Sequence, residues 1–172
     1  RIEVYAHADQ PDPMAQGVLG QERASFPTLW SVRTARVYLI QAALSADDVA
    51  RVGQELLADP INQTAVIGSA EAPHSGVVIE VHYQPGVMDP VAQSTQDALR
   101  EMLAGATEAS VRTGFRYDFV GEGLDAEALR SFAEKNLANP VIQDIHIGVF
   151  HPAEFPRTHA YQFRLTHVPI LN

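Results

Sequence analysis

The sequence predicts an α/β chain of the α+β type. Two pseudo-symmetric β-α-β-α-β repeats form one sheet with helices packed on one face, a two-layer sandwich. Three observations lead there. The first is that the chain repeats itself. Ile2 and the Asp12-Pro13 step return as Ile79 and Asp89-Pro90, at an offset of 77. Ser31-Val32-Arg33-Thr34 returns unchanged as Ser110-Val111-Arg112-Thr113, at an offset of 79. Leu57-Ala58-Asp59-Pro60-Ile61-Asn62-Gln63 is echoed by Leu137-Ala138-Asn139-Pro140-Val141-Ile142-Gln143, at an offset of 80. A self-similar period decides architecture before any local signal. Two copies of this length form a fused pair with approximate two-fold symmetry, like a homodimer made covalent, rather than a solenoid. The second observation is that each copy switches between strand and helix periodicity in the same order. The third is size: 172 residues, 46% of them hydrophobic, can bury one sizeable core. Two separate modules of roughly 70–80 residues would each be marginal.

In the first copy, Ile2 and Val4 alternate with Glu3 and Tyr5, which is strand periodicity. Residues 14–25 have helical composition interrupted by Gly17 and Gly20. Residues 32–43 read as a long strand. Ser45 then caps a helix whose first turn carries Asp47 and Asp48, favourable to the helix dipole. Val49, Val52, Leu56 and Leu57 form its apolar stripe, and Asp59-Pro60 stops it. Residues 64–68 are a short strand.

The second copy has cleaner signals. Residues 77–83 form a strand with Val77, Ile79 and Val81 on one face. Asp89 with Pro90 after it is a strong helix start. Val91, Thr95, Ala98, Leu99, Met102 and Leu103 supply that helix's inner face. Residues 110–120 form the second long strand. A helix opening at Leu124-Asp125 turns Leu129, Phe132, Ala133 and Leu137 inward and ends at Asn139-Pro140; residues 141–149 form a third strand. The repeats therefore span 1–68 and 77–149, joined by a small polar linker at 69–76. The extension 150–172 has no counterpart in the repeat, and residues 160–169 in it alternate like a final strand.

A net charge of −9 argues against nucleic acid, which needs a basic face, and against an anionic membrane surface. The chain has no cysteine, which excludes disulfides, zinc–thiolate sites and thiol catalysis and fits a reducing cytoplasm. No apolar run is long enough to span a bilayer. The seven histidines include no pair with the spacing of a familiar metal site, so no metal ligands are assigned. Asp118, Glu122 and Asp125 fall at loop and cap positions and read as caps or solvated charges. Trp30, with Phe26, Pro27 and Leu29, reads as core filling ahead of the first long strand, with a partner hot spot as the competing reading.

The order strand, Asp-Pro, helix, Val-Arg-x-Gly, long strand, helix, Leu-Ala-Asn-Pro, Val-Ile-Gln-Asp resembles the PurS family, the small subunit of phosphoribosylformylglycinamidine synthase in purine biosynthesis. Residues 137–144 are its most specific block, supported by Asp89-Pro90 and Val111-Arg112-Thr113-Gly114. The first copy is similar more loosely, with Ala35 where the second has Gly114. The resemblance implies the tandem form that serves as the N-terminal domain of single-chain synthases, or a fused subunit. In the first case the tail would lead toward catalytic domains. It implies a non-catalytic assembly role that supports docking of synthetase to glutaminase and transfer of ammonia. The partners implied are the synthetase catalytic domains and a glutaminase subunit or domain. ATP and Mg²⁺ would belong to the synthetase, and this chain would hold no cofactor. The residues agree, with no phosphate-binding glycine loop and no thiol nucleophile. Arg33 and Arg112, at matching places on the long strands, are the candidate contacts to a partner carboxylate or substrate phosphate. The competing reading is a salt bridge within a module or across the pseudo-dimer. A stand-alone small-molecule-binding regulatory module is the alternative function.

Overall fold

Six strands are ordered β3-β1-β2-β5-β4-β6, and every neighbouring pair is antiparallel. In chain order the elements are β1 (Ile2–Ala6), α1 (Pro13–Glu22), β2 (Leu29–Gln41), α2 (Ala46–Arg51), β3 (Gln63–Ile67), β4 (Gly76–Tyr83), α3 (Pro90–Met102), β5 (Ser110–Gly121), α4 (Ala126–Asn136) and β6 (Gln143–Ile147). The computed structural model describes residues 1–22, 25–152 and 155, so the strand expected at 160–169 lies outside the described residues. The two-layer α+β sandwich expected from the sequence is the fold observed. Among the described residues no helix is long and apolar enough to cross a membrane.

The repeated sequence blocks are places where the backbone must be pinned. Asp12 accepts hydrogen bonds from the Ala15 amide at 2.9 Å and the Thr34 amide at 3.0 Å, and from Thr34 Oγ1. Asp89 does the same with the Ala92 amide at 2.9 Å, the Thr113 amide at 2.9 Å, and Thr113 Oγ1. Each Asp therefore caps a helix and ties its start to a long strand, which explains why Asp-Pro and the Thr of Ser-Val-Arg-Thr recur together. Asp89→Ala removes a cap and the bonds to Thr113, and is expected to cost about 2–3 kcal/mol. Urea unfolding measures it, and Asp12→Ala should behave alike.

The third block is a turn. The Asp59 amide donates to Gln63 Oε1 at 3.0 Å, and Asp59 Oδ1 accepts from the Ile61 amide at 2.9 Å. Asn139 repeats both bonds, to Gln143 Oε1 at 2.8 Å and from the Val141 amide at 3.1 Å. The helices before these turns close in the same way. The Ala58 amide reaches back five residues to the Gly53 carbonyl, and the Ala138 amide to that of Ala133. In the first repeat the widened turn extends over Val52–Leu57, so α2 continues as a π-helix.

The long strands β2 and β5 pair over almost their whole length, from Ser31 opposite Val120 to Gln41 opposite Ser110. β2 starts earlier than its alternation suggests, because Leu29 pairs with Gly121 across a register shift. Trp30 is the extra residue at that shift and is turned outward, 59% exposed. The core-filling role read for it is therefore incorrect.

The helices cover one face and are exchanged between the repeats. Val18 of α1 is buried with Ile79, Val81, Tyr117 and Phe119 of the second repeat and with Leu129 and Phe132 of α4. Ala92, Leu99 and Leu103 of and after α3 are buried with Ile2, Val4, Tyr38 and Val52 of the first. Each half of the core thus contains a helix supplied by the other half of the sequence.

Candidate functional site

Strand alternation sends Ile2, Val4, Ile79 and Val81 into the helix-covered cores and puts Glu3, Glu80 and His82 on the opposite face. That second face is not a solvated surface. Glu3, Glu80 and Arg116 have no exposed area, and Asp118 and His82 almost none. Arg116, at the centre of β5, donates from Nε to Asp118 Oδ1 at 2.7 Å and from Nη1 to both oxygens of Glu3 at 3.1 and 3.2 Å. It also donates to the carbonyls of Ala70 at 2.9 Å and Glu71 at 3.4 Å. Glu3 further accepts from Tyr5 Oη at 2.7 Å, Arg1 Nε at 2.7 Å and the Ala70 amide at 3.0 Å. The segment between β3 and β4 is thereby held across the sheet by buried charge.

Glu80, which stands where Glu3 stands in the first repeat, pairs with the other end of Arg1 and with His82 Nε2 at 2.8 Å, and accepts from the Phe150 amide at 3.2 Å. His82 lies over Gly114, its cross-strand partner. A Cβ on Gly114 would fall against the His82 ring and 2.7 Å from the Val81 carbonyl, so glycine is required there. In the first repeat Tyr5 faces Ala35 in the same register. Phe150 stacks on His146 at 4.0 Å between centroids and lies 4.9 Å from His82. Burial, reinforced by neighbouring His82, holds His146 below the usual imidazole range, so it is neutral at pH 7.

Burial alone would push the Glu3 carboxyl up. The Ala70 amide, Tyr5 and Arg1, with the charge of Arg116, outweigh it and hold the group below the ordinary carboxylate range. Burial, with Glu3 accepting its proton, pushes the Tyr5 hydroxyl up. Apart from His82 Nδ1, which is buried without a partner among the described residues, these groups spend their bonds on one another and on the backbone. The arrangement is a clasp, and its members include no nucleophile aligned to a base. Among the described residues no three or more His, Asp and Glu side chains are grouped to hold a metal.

The two candidate arginines do not share a site. Arg33 donates to Asp118 Oδ2 at 3.0 Å and lies 4.2 Å over the Tyr5 ring, with 54% of its side chain exposed. Arg112 donates to the Tyr83 carbonyl at 2.7 Å and makes no ion pair with a described residue. Arg33 faces Asp118 and Arg112 faces Leu39 on the β2–β5 ladder. That puts them about 20 Å apart along the strands. Asp118, expected at a loop or cap position, is instead buried within β5, where Arg116 and Arg33 compensate its charge. Asp125 is a cap as read, accepting from the Glu127 and Ala128 amides.

Sequence reading missed the clasp. The signal for it was Glu3 and Glu80 at matching positions between apolar strand residues, opposite a chain with Arg116 two residues before Asp118. Outside the clasp, exposed apolar residues recur at equivalent sites. Ile61 and Val141 in the two turns are 76% and 78% exposed, and Ile67 and Ile147 lie on the outer strands β3 and β6. No curated protein matches the chain significantly. Residues 76–151, which hold β4, α3, β5, α4 and β6, match the PurS family, described as phosphoribosylformylglycinamidine (FGAM) synthase.

Proposed function

We propose that the chain is a tandem PurS-like unit of an FGAM synthase in purine biosynthesis. In this reading residues 1–68 and 77–149 are its two modules. The unit acts without chemistry of its own, holding an ATP-dependent synthetase and a glutaminase in register for ammonia transfer. The observation that carries the reading is the pairing of β2 with β5 together with the exchange of α1 and α3. The half that matches PurS is completed by a first half with the same element order, as a second subunit would complete it. The spent charges of the clasp and the repeated exposed apolar sites support an assembly role over catalysis. Arg33, with half its side chain free, is the arginine we propose to meet a partner carboxylate or a substrate phosphate.

The test is reconstitution. A synthetase lacking its own PurS-like part is assayed for glutamine-dependent amidine formation with glutaminase present. Adding this chain is expected to restore activity at least tenfold, and to leave ammonia-dependent turnover much less affected. A chain that neither co-sediments with the two partners nor raises the glutamine-dependent rate would overturn the proposal.

A further inference from the structure

We propose that a cleft at the middle of the β2–β5 pair, on the helix-covered face, binds a small oxyanion through Arg36. The ligand class is a carboxylate or phosphate group on a small molecule. The proposal is independent of the assembly role above.

Arg36 stands opposite Phe115 in the ladder, and its guanidinium lies 4.2 Å over that ring. Among the described arginines, the other seven each make an ion pair or a hydrogen bond to a described residue; Arg36 makes neither. Such a cation is unusual in a chain with 21 acidic and 12 basic residues. It opens instead into a cleft of about 460 Å³, lined also by Gln10, Asn62, Gln63, Ala6 and Phe115. That volume suits a small molecule. Resting on an aromatic face, the planar guanidinium keeps its edge free for bidentate contact with two oxygens. Asp12 also borders the cleft, but its oxygens are occupied by the Ala15 and Thr34 donors.

The second repeat shows what this place becomes without such a role. At the repeat offsets, Ala6 corresponds to Tyr83, Gln10 to Val87, Asn62 to Ile142 and Arg36 to Phe115 itself. The small residue is replaced by a bulky one, and Gln10, Asn62 and Arg36 by apolar residues, while Gln63 is kept as Gln143. The polarity of the cleft therefore belongs to one side of the pseudo-symmetric pair, where packing alone does not require it.

Calorimetric titration of the 172-residue chain with inorganic phosphate, and separately with malonate, at fixed ionic strength tests the site. Saturable one-site binding of at least one is expected, and the tighter of the two identifies the oxyanion. Arg36→Gln should weaken it about tenfold or more, the loss expected for a charge-assisted bond. Ala6→Tyr, which puts into the cleft the bulky residue that the second repeat carries at that place, should weaken it equally and decides the question if Arg36→Gln does not fold. Arg51→Gln, at an exposed i,i+4 pair with Glu55, should bind as the parent does. Absence of saturable binding, binding that survives Ala6→Tyr, or an equal loss in Arg51→Gln would each overturn the assignment.

Discussion

Expressed alone, residues 1–75 should remain unfolded, whereas residues 76–152 should recover structure only by self-association. Each half of the core holds a helix from the other half of the sequence, so cutting the linker strips every core of a wall. The first half loses the partners of Ile2, Val4 and Tyr38 on α3; the second loses Val18. A buried apolar side chain of this size contributes about 1.5–3 kcal/mol, and several are lost at once from a domain whose whole stability is of order 5–15 kcal/mol. The two fragments differ in what a second copy could repair. Arg36 and Phe115 occupy equivalent places and face each other, so they mark the pseudo-two-fold axis. A self-paired second half would set Phe115 against Phe115, a favourable aromatic pair. A self-paired first half would set Arg36 against Arg36, and like charges directly opposite are destabilising. Circular dichroism and sedimentation of each fragment over a concentration series check this. A monomeric fragment with cooperative unfolding would show that the exchange is dispensable.

Arg116→Met should cost about 3–5 kcal/mol, the loss typical when one partner of a buried ion cluster is removed. Glu3 and Asp118 would be left without their central cation, and the carbonyls of Ala70 and Glu71 without a donor. Arg33→Ala, whose side chain is largely solvated, should cost at most about 1 kcal/mol. Neutralising the cluster together, with Glu3→Gln and Asp118→Asn beside Arg116→Met, should recover part of the loss, because no uncompensated charge then remains. Urea unfolding of the set decides. A loss below that of Arg33→Ala would mean that the clasp does not hold the fold. The pH dependence follows from the depressed Glu3 carboxyl. Its contribution is fully present at neutral pH, begins to fall as pH drops through the ordinary value of 4.5, and is gone below the folded value. Glu3→Gln removes that part of the acid sensitivity.

Much of the architecture is legible in the sequence, since repeats, caps and alternation are local signals. Asp12 and Asp89 cap their helices, and Leu129, Phe132 and Ala133 are buried as their spacing implies. What stays hidden is set by contacts distant in sequence. Periodicity tells that α1 and α3 bury a face, but not that each joins a core cluster with buried residues of the other repeat. Alternation places Glu3, Glu80, Arg116 and Asp118 off the apolar core, but cannot show the polar linker lying over them. Composition points Trp30 inward, but a single register shift turns a residue to the opposite face. Arg33 and Arg112 share a sequence block yet differ in partners, since the residues across the ladder, Asp118 and Leu39, stand at matching places in the two repeats but differ in kind, one acidic and one apolar.

The outer strands β3 and β6 and their turns have a consequence for stoichiometry. An exact homodimer offers two identical edges, so any partner that docks on one docks on both. Here the edges are cognate but unequal: Ile61-Asn62 on one corresponds to Val141-Ile142 on the other. One chain therefore presents two outer edges that differ in their side chains, where an exact homodimer would present the same edge twice.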